Sequence, residues 1–263
     1  HAIDGWDDLR RRLQPDRRCF AFFHPQLPSE PLIFVEVALL PEIPTVITPL
    51  VDKKAETVDQ PSQYKVAVFY SISNCEPGLR GVSMGNFLIK RVAEQLHAEF
   101  PGIKTFVTLS PIPGFMDWVA AGANLGEGVP AERLKPNLKA VRDAALALLK
   151  LDSQSWSERL AGGWHPDLAS EKEREALLSL ASMYLGLAST GRDGNPVAKF
   201  HLGNGAKLHL INWAGDLSRK GLRQSAGLMV NYLYDLGSVE DNHERFANGE
   251  IVYSRAVGRL MAP

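Results

Sequence analysis

Residues 64–110 read YKVAVFYSISNCEPGLRGVSMGNFLIKRVAEQLHAEFPGIKTFVTLS, and the change of periodicity along them decides the fold. The opening YKVAVFYSIS is nearly continuous in apolar residues, the pattern of a strand buried on both faces. The glycine-bearing NCEPGLRG interrupts it, and Gly85, Leu88, Val92 and Leu96 then fall on one helical stripe. A second apolar run, KTFVTLS, ends at Ser110. Strand, glycine loop, helix, strand is a right-handed βαβ crossover with its loop at the carboxyl end of the first strand. The class is therefore α/β (α+β).

Working outward, RCFAFFH and PLIFVEVALL read as two earlier strands, set off by proline joints at Pro25, Pro28, Pro31 and from Pro41 to Pro44. From about residue 130 to 190 the pattern turns helical, in NLKAVRDAALALLKL and SEKEREALLSLASMYLGLA, the second opening on a serine and acids suited to capping. Strand signals resume afterwards, so this region reads as a helical insertion. DGNPVAKFHLGNG predicts a short helix with Asn195 as cap, Pro196 first and Gly205 as stop. AKLHLINWA and GLMVNYLYDL predict two more strands, and the tail HERFANGEIVYSRAVGRLM is of mixed, mainly helical character.

Composition narrows the function classes. A net charge of -1 over 263 residues gives no reason to expect nucleic acid or an anionic membrane as partner. Cys19 and Cys75 make neither a disulfide framework nor a metal set, which predicts two free thiols in a reducing compartment. Apolar runs are short and broken by charge, so no membrane span is expected. His, Cys, Asp and Glu do not cluster at metal-ligand spacing, so no metal site is expected. The chain starts with His1 rather than methionine, and an expectation that it is a piece of a longer chain follows.

Several residues could carry chemistry. In GLRGVSMG, Gly78, Gly81 and Gly85 stand between a buried strand and a helix start, where unpaired amides and the helix dipole favour an anion. Arg80 adds a charge that could hold a phosphate. The glycine spacing is neither a Walker loop nor a dinucleotide fingerprint, and a plain tight turn fits it equally. In TLSPIPGF, Pro111 holds Ser110 out of the helical region, either as a turn-former or as a side chain aimed at something. His201, Asn204, Asn212, Asn231 and Tyr234 are polar residues in apolar surroundings, where buried polar groups usually satisfy neighbours. Trp118, Trp164 and Trp213 read as core and Arg10–Arg12 as a solvated face.

Taken in order, SISNCEPGLRGVSMGNFLIKRVAEQL, FVTLSPIPGFMDWV, NPVAKFHLGNGAKLHLINWAGDLSRKG and QSAGLMVNYLYDL resemble the malonyl-CoA decarboxylase family. The resemblance implies a catalytic domain with the GNAT-type acyltransferase fold over residues 16–263, with residues 1–15 a remnant of an amino-terminal helical domain or linker. It implies decarboxylation of malonyl-CoA to acetyl-CoA and carbon dioxide, a place in fatty acid metabolism, and no cofactor beyond the coenzyme A of the substrate. Ser110 and His201 match the family's catalytic serine and histidine. Arg80, Gly81, Val82, Ser83, Met84 and Gly85 match its CoA pyrophosphate loop, with Asn204, Asn212 and Tyr234 lining the site. Some members carry glutamate where Ser83 stands, so a role for that carboxylate does not transfer. A homo-oligomer built through the helical domain is expected, in the cytoplasm, since LMAP is not a peroxisomal address. The alternatives are a GNAT-fold acyl-CoA acyltransferase, a Ser110–His201 thioesterase, and a non-catalytic acyl-CoA-binding module.

Overall fold

Val66–Asn74 is a strand because its run of apolar residues can be buried on both faces at once, and it is: Val66, Ala67, Val68 and Phe69 are all buried. The computed structural model of the chain describes residues 5–52, 54, 58–79, 85–125, 136–151, 153–191 and 194–261. These fall into two units, each mixed α/β, the first formed by the chain up to Leu109 with Tyr234–Leu236, the second by Ser110–Leu233 with the residues from Gly237 onward.

The first unit runs α1 (Trp6–Arg12), β1 (Arg17–His24), β2 (Leu27–Leu40), α2 (Thr48–Val51), β3 (Val66–Asn74), α3 (Gly85–Glu99) and β4 (Thr105–Thr108). Its strands stand in the order β1-β2-β3-β4. The β1–β2 and β2–β3 pairs are antiparallel, and β3–β4 is parallel with Val66 opposite Thr105. The crossover expected between β3 and β4 is therefore present, and α3 turns Leu88, Val92 and Leu96 into the core. Pro28 and Pro31 do not set β2 off; they lie inside it. Pairing of β2 with β3 begins only at Ile33, and the β1–β2 register slips at Phe23, so these prolines sit where a missing N–H breaks no ladder.

Of the Arg10–Arg12 run only Arg10 is exposed as expected. Arg11 is buried against Asp16, Nη1 to Oδ1 2.8 Å, and the Arg17 Nη1 donates to the other oxygen of the same carboxylate at 2.5 Å. Arg12 reaches Asp8 at 2.8 Å and Glu36 at 2.5 Å, and its pKa is raised, chiefly by the hydrogen bond to Asp8. Asp8 stands at the i,i+4 spacing of a helical ion pair, whereas Asp16 and Glu36 lie where no helical spacing points, and together they draw Arg11 and Arg12 inward.

In the second unit come β5 (Ser110–Pro111), α4 (Phe115–Ala120), α5 (Pro136–Leu149), α6 (Ser153–Ala161), α7 (Glu171–Gly186), α8 (Pro196–Gly203), β6 (Lys207–Asn212), α9 (Arg219–Ser225), β7 (Met229–Tyr234), α10 (Val239–Ala247) and α11 (Arg255–Met261). β7 is central, antiparallel to β5 on one side and to β6 on the other. The buried length of α7, including Leu177, Leu180, Met183 and Leu185, supplies much of the core. Its start follows the sequence signal: Ser170 Oγ accepts the Glu173 N–H at 3.2 Å. The expected strand KTFVTLS is in fact two. Pairing with β3 stops at Thr108, and Ser110 pairs with Val230 instead.

Trp118, Trp164 and Trp213 are half-buried rather than core. The Trp118 N–H donates to Asn124 O at 2.8 Å and the Trp164 N–H to Glu173 at 3.1 Å, while the Arg174 guanidinium lies 5.9 Å from the Trp213 ring centre. Each indole keeps its polar edge within reach of a partner or of water. Cys19 and Cys75 are free and exposed, as expected. Among the described residues no helix is long and apolar enough to cross a membrane, and no three His, Cys, Asp or Glu gather as metal ligands.

Candidate active site

Ser110 owes its position to the residues that follow it. Pro111 keeps it extended, so it can enter β5 and pair with Val230. Ile112 anchors the turn by full burial, and Gly114 closes it with φ at +75°, a left-handed conformation that costs a side-chain-bearing residue energy. A Cβ on Gly114 would also stand 3.2 Å from the Tyr184 hydroxyl. The result is a serine only 5% exposed, at the head of a turn with little freedom to move.

His201 comes from α8, whose ends are both fixed. Asn195 Oδ1 accepts the Ala198 N–H at 2.9 Å, and Pro196 takes the first helical position, where its missing N–H costs nothing. At the other end the Gly205 N–H donates to Leu202 O at 3.0 Å and the Ala206 N–H to His201 O at 3.1 Å, a Schellman closure. Gly205 has φ at +78°, and a Cβ there would lie 2.0 Å from Val239 O, so only glycine fits. The His201 ring is thus delivered from the last turn of a helix whose carbonyl at that residue is held by two amides, those of Asn204 and Ala206.

These two elements bring Ser110 Oγ and His201 Nε2 to 3.3 Å across 91 residues of sequence. The imidazole lies stacked on Tyr232, centroids 4.8 Å apart and planes 25° apart, with Phe200 edge-on at 5.0 Å. Burial among these rings pushes its pKa down from 6.5 to about 3. A helix C-terminus favours the charged imidazolium, but by about 2 kcal/mol at most, so desolvation wins. His201 is neutral at physiological pH. A neutral imidazole at hydrogen-bond distance from a buried serine can accept or donate through Nε2, and any charge that develops beside it meets little solvent to screen it.

Asn204 caps α8 and is buried. Asn212, at the end of β6, donates from Nδ2 to Asn231 Oδ1 at 2.7 Å, one hydrogen bond joining two buried amides. Tyr234 is the last residue of β7 and belongs to the first unit, where its ring packs edge-on to Phe69 at 6.1 Å. Gly85 opens α3; Arg80, Gly81, Val82, Ser83 and Met84 lie outside the described residues. Sequence reasoning passed over Tyr232 and Tyr184. Alternation along β7 puts Tyr232 on the same face as Val230 and Tyr234, but nothing local says that a histidine 31 residues earlier lies against it.

The family model described as the malonyl-CoA decarboxylase C-terminal domain matches residues 1–263. The chain belongs to that family. Among curated proteins it is 39% identical over 257 residues to malonyl-CoA decarboxylase, mitochondrial, of Anser anser anser, covering 92% of this chain and 49% of that one. The Mus musculus protein of the same name is 39% identical over 249 residues, covering 92% and 50%. The chain spans about half the length of the curated relatives it matches. Of solved structures, the malonyl-CoA decarboxylase of Rhodopseudomonas palustris is 45% identical with a TM-score of 0.77, covering 99% of this chain and 56% of that one. That of Agrobacterium vitis is 46% identical with a TM-score of 0.76, covering 100% and 61%. The family resemblance read from four sequence blocks thus holds over the whole chain, and the fold is that of these decarboxylases.

Proposed function

We propose that this chain decarboxylates malonyl-CoA to acetyl-CoA, with Ser110 and His201 as the reacting pair. The observation that carries the reading is the contact between Ser110 Oγ and a buried, neutral His201 Nε2. Loss of carbon dioxide breaks the bond from the carboxylate carbon to C2 and leaves the electron pair on a thioester enolate. The barrier falls when donors are already aimed at the thioester oxygen, where the charge collects. Burial keeps His201 uncharged in the free chain; an arriving malonyl carboxylate, and then the enolate, favour its protonated form. The imidazole then takes up the one proton that the reaction consumes and passes it to C2. Ser110, fixed by its turn, orients the carboxylate or shares the oxyanion through its hydroxyl.

The CoA loop at Arg80–Gly85, the roles of Asn204, Asn212 and Tyr234 at the acyl group, and the need for no cofactor belong to the same proposal. So do a place in fatty acid metabolism and assembly into a homo-oligomer. The vertebrate relatives carry mitochondrial in their names; for this chain the cytoplasm is proposed, and a fluorescent fusion of the full-length protein decides between the two compartments.

A time course with malonyl-CoA, read by mass spectrometry, tests the reading. Acetyl-CoA should form, and Ser110→Ala or His201→Asn should each slow it on the order of 10²–10³-fold, the usual cost of one oxyanion donor. Malonate and free CoA in place of acetyl-CoA would mean thioester hydrolysis. Malonyl-CoA bound but unchanged by the full-length protein would mean an acyl-CoA-binding module.

A further inference from the structure

Ser110 and His201 sit on separate elements, and a hydrogen bond between them tolerates only a few tenths of an ångström of drift. One side chain touches both elements. Asn195 is fully buried. Its Oδ1 accepts the Ala198 N–H at 2.9 Å and so starts the helix that carries His201. Its Nδ2 donates at 2.8 Å to the carbonyl of Pro113, three residues beyond Ser110 in the same turn. The Tyr184 hydroxyl, from α7, donates to that carbonyl as well, at 3.2 Å.

We propose that Asn195 is a positioning residue: a single amide that clamps the Ser110 turn to the His201 helix, with Tyr184 as a second strut. The inference rests on the reading of Ser110 and His201 as the reacting pair. Capping alone does not require asparagine, since serine, threonine or aspartate offers the same oxygen to the helix. The amide presents an acceptor to Ala198 and a donor to Pro113 from two separate atoms, where a hydroxyl has one; an aspartate would turn a second oxygen on the Pro113 carbonyl. The clamp is itself seated. A Cβ on Gly194 would lie 2.6 Å from Ser189 O and 2.7 Å from Ala188 O, so the backbone before Asn195 rests directly on that turn. Pro196 holds Asn195 extended from the other side. From this anchor α8 runs unbroken to His201, and the Schellman closure stiffens its far end.

Asn195→Asp keeps the cap and loses the donor; Asn195→Ser keeps the cap and puts one shorter hydroxyl where two separate polar atoms stood. Both variants should lower the melting temperature, Asn195→Asp the more because it buries a carboxylate against a carbonyl oxygen. At temperatures where they stay folded we expect KM for malonyl-CoA little changed and kcat lower on the order of 100-fold, the scale of a displacement of about 1 Å at a reacting group. Tyr184→Phe should cost less alone, and its effect should be non-additive with Asn195→Asp because both donors serve one carbonyl. A second readout does not depend on turnover. With [15N]histidine-labelled protein, Ser110→Ala should move the His201 Nε2 resonance in the wild-type background and move it clearly less in Asn195→Asp. Equal displacement in both backgrounds, or wild-type kcat in Asn195→Asp and Asn195→Ser, overturns the clamp. Absence of acetyl-CoA from the wild-type reaction instead refutes the proposed function, and the resonance comparison still decides the clamp.

Discussion

The buried polar groups around Asp16 and those around His201 solve desolvation in opposite ways. At Asp16 the groups stay charged: one carboxylate holds Arg11 and Arg17, with further hydrogen bonds from Arg17 to Leu50 O at 3.0 Å. Burial pushes the Arg17 pKa down, and the neighbouring carboxylate pushes it back up. At His201 the group gives up its charge, with its ring stacked on Tyr232 and Phe200 edge-on to it. The first arrangement fixes a fold, because two buried guanidinium groups converge on one carboxylate and both depend on it. The second leaves a buried, uncharged imidazole in a low-dielectric place, where an anion formed by a reaction is strongly felt.

Removing a charge should therefore break the first region and spare the second. Asp16→Ala leaves two buried guanidinium groups without their carboxylate and should cost about 3–5 kcal/mol in urea unfolding. A loss below 1 kcal/mol would mean that water reaches Arg11 and Arg17.

Acid should act the other way round, on the uncharged region. The unfolded chain protonates His201 near 6.5, the folded chain only near 3. Between these values the unfolded state binds more protons, so stability present above pH 6.5 is lost as pH falls, by up to about 1.4 kcal/mol per pH unit from this group. His201→Asn should flatten the dependence of melting temperature on pH below 6.5. An unchanged slope would place the His201 ring in contact with water.

The smallest effect belongs to a helix cap that is part of neither group. Ser170→Ala removes the cap of α7 and should cost about 1 kcal/mol with kcat unchanged, measured by thermal unfolding and the acetyl-CoA assay. A fall in kcat would show that α7 transmits its end position to the Ser110 turn through Tyr184.

What could be read from the sequence was what local chemistry dictates. β3, α3 and β4 announced themselves by a change of apolar period, and α8 by asparagine, proline and a closing glycine. Ser110 and His201 were reached through motif resemblance; their contact was not legible, because no spacing rule links positions 91 residues apart. The same blindness hid the pairing of Arg11 with Asp16 and of Arg12 with Glu36, the stack on Tyr232, and the second hydrogen bond of Asn195. It also hid the split of KTFVTLS into β4 and β5, since continuing apolar character does not say which neighbour a strand pairs with. α4 and α6 escaped for another reason: they are short, and their amphipathic stripes span barely two turns.

The 91 residues between Ser110 and His201 also set an order in time. During synthesis the Ser110 turn emerges well before the helix that completes the pair, and a loop of this length closes only after considerable chain entropy has been lost. Contacts of such separation form late and slow the approach to the native state. The pair, the Asn195 amide and the Tyr184 hydroxyl must all arrive before the turn and the helix are locked together. The appearance of activity in a refolding or translating chain would thus clock the completion of the second unit, not its beginning.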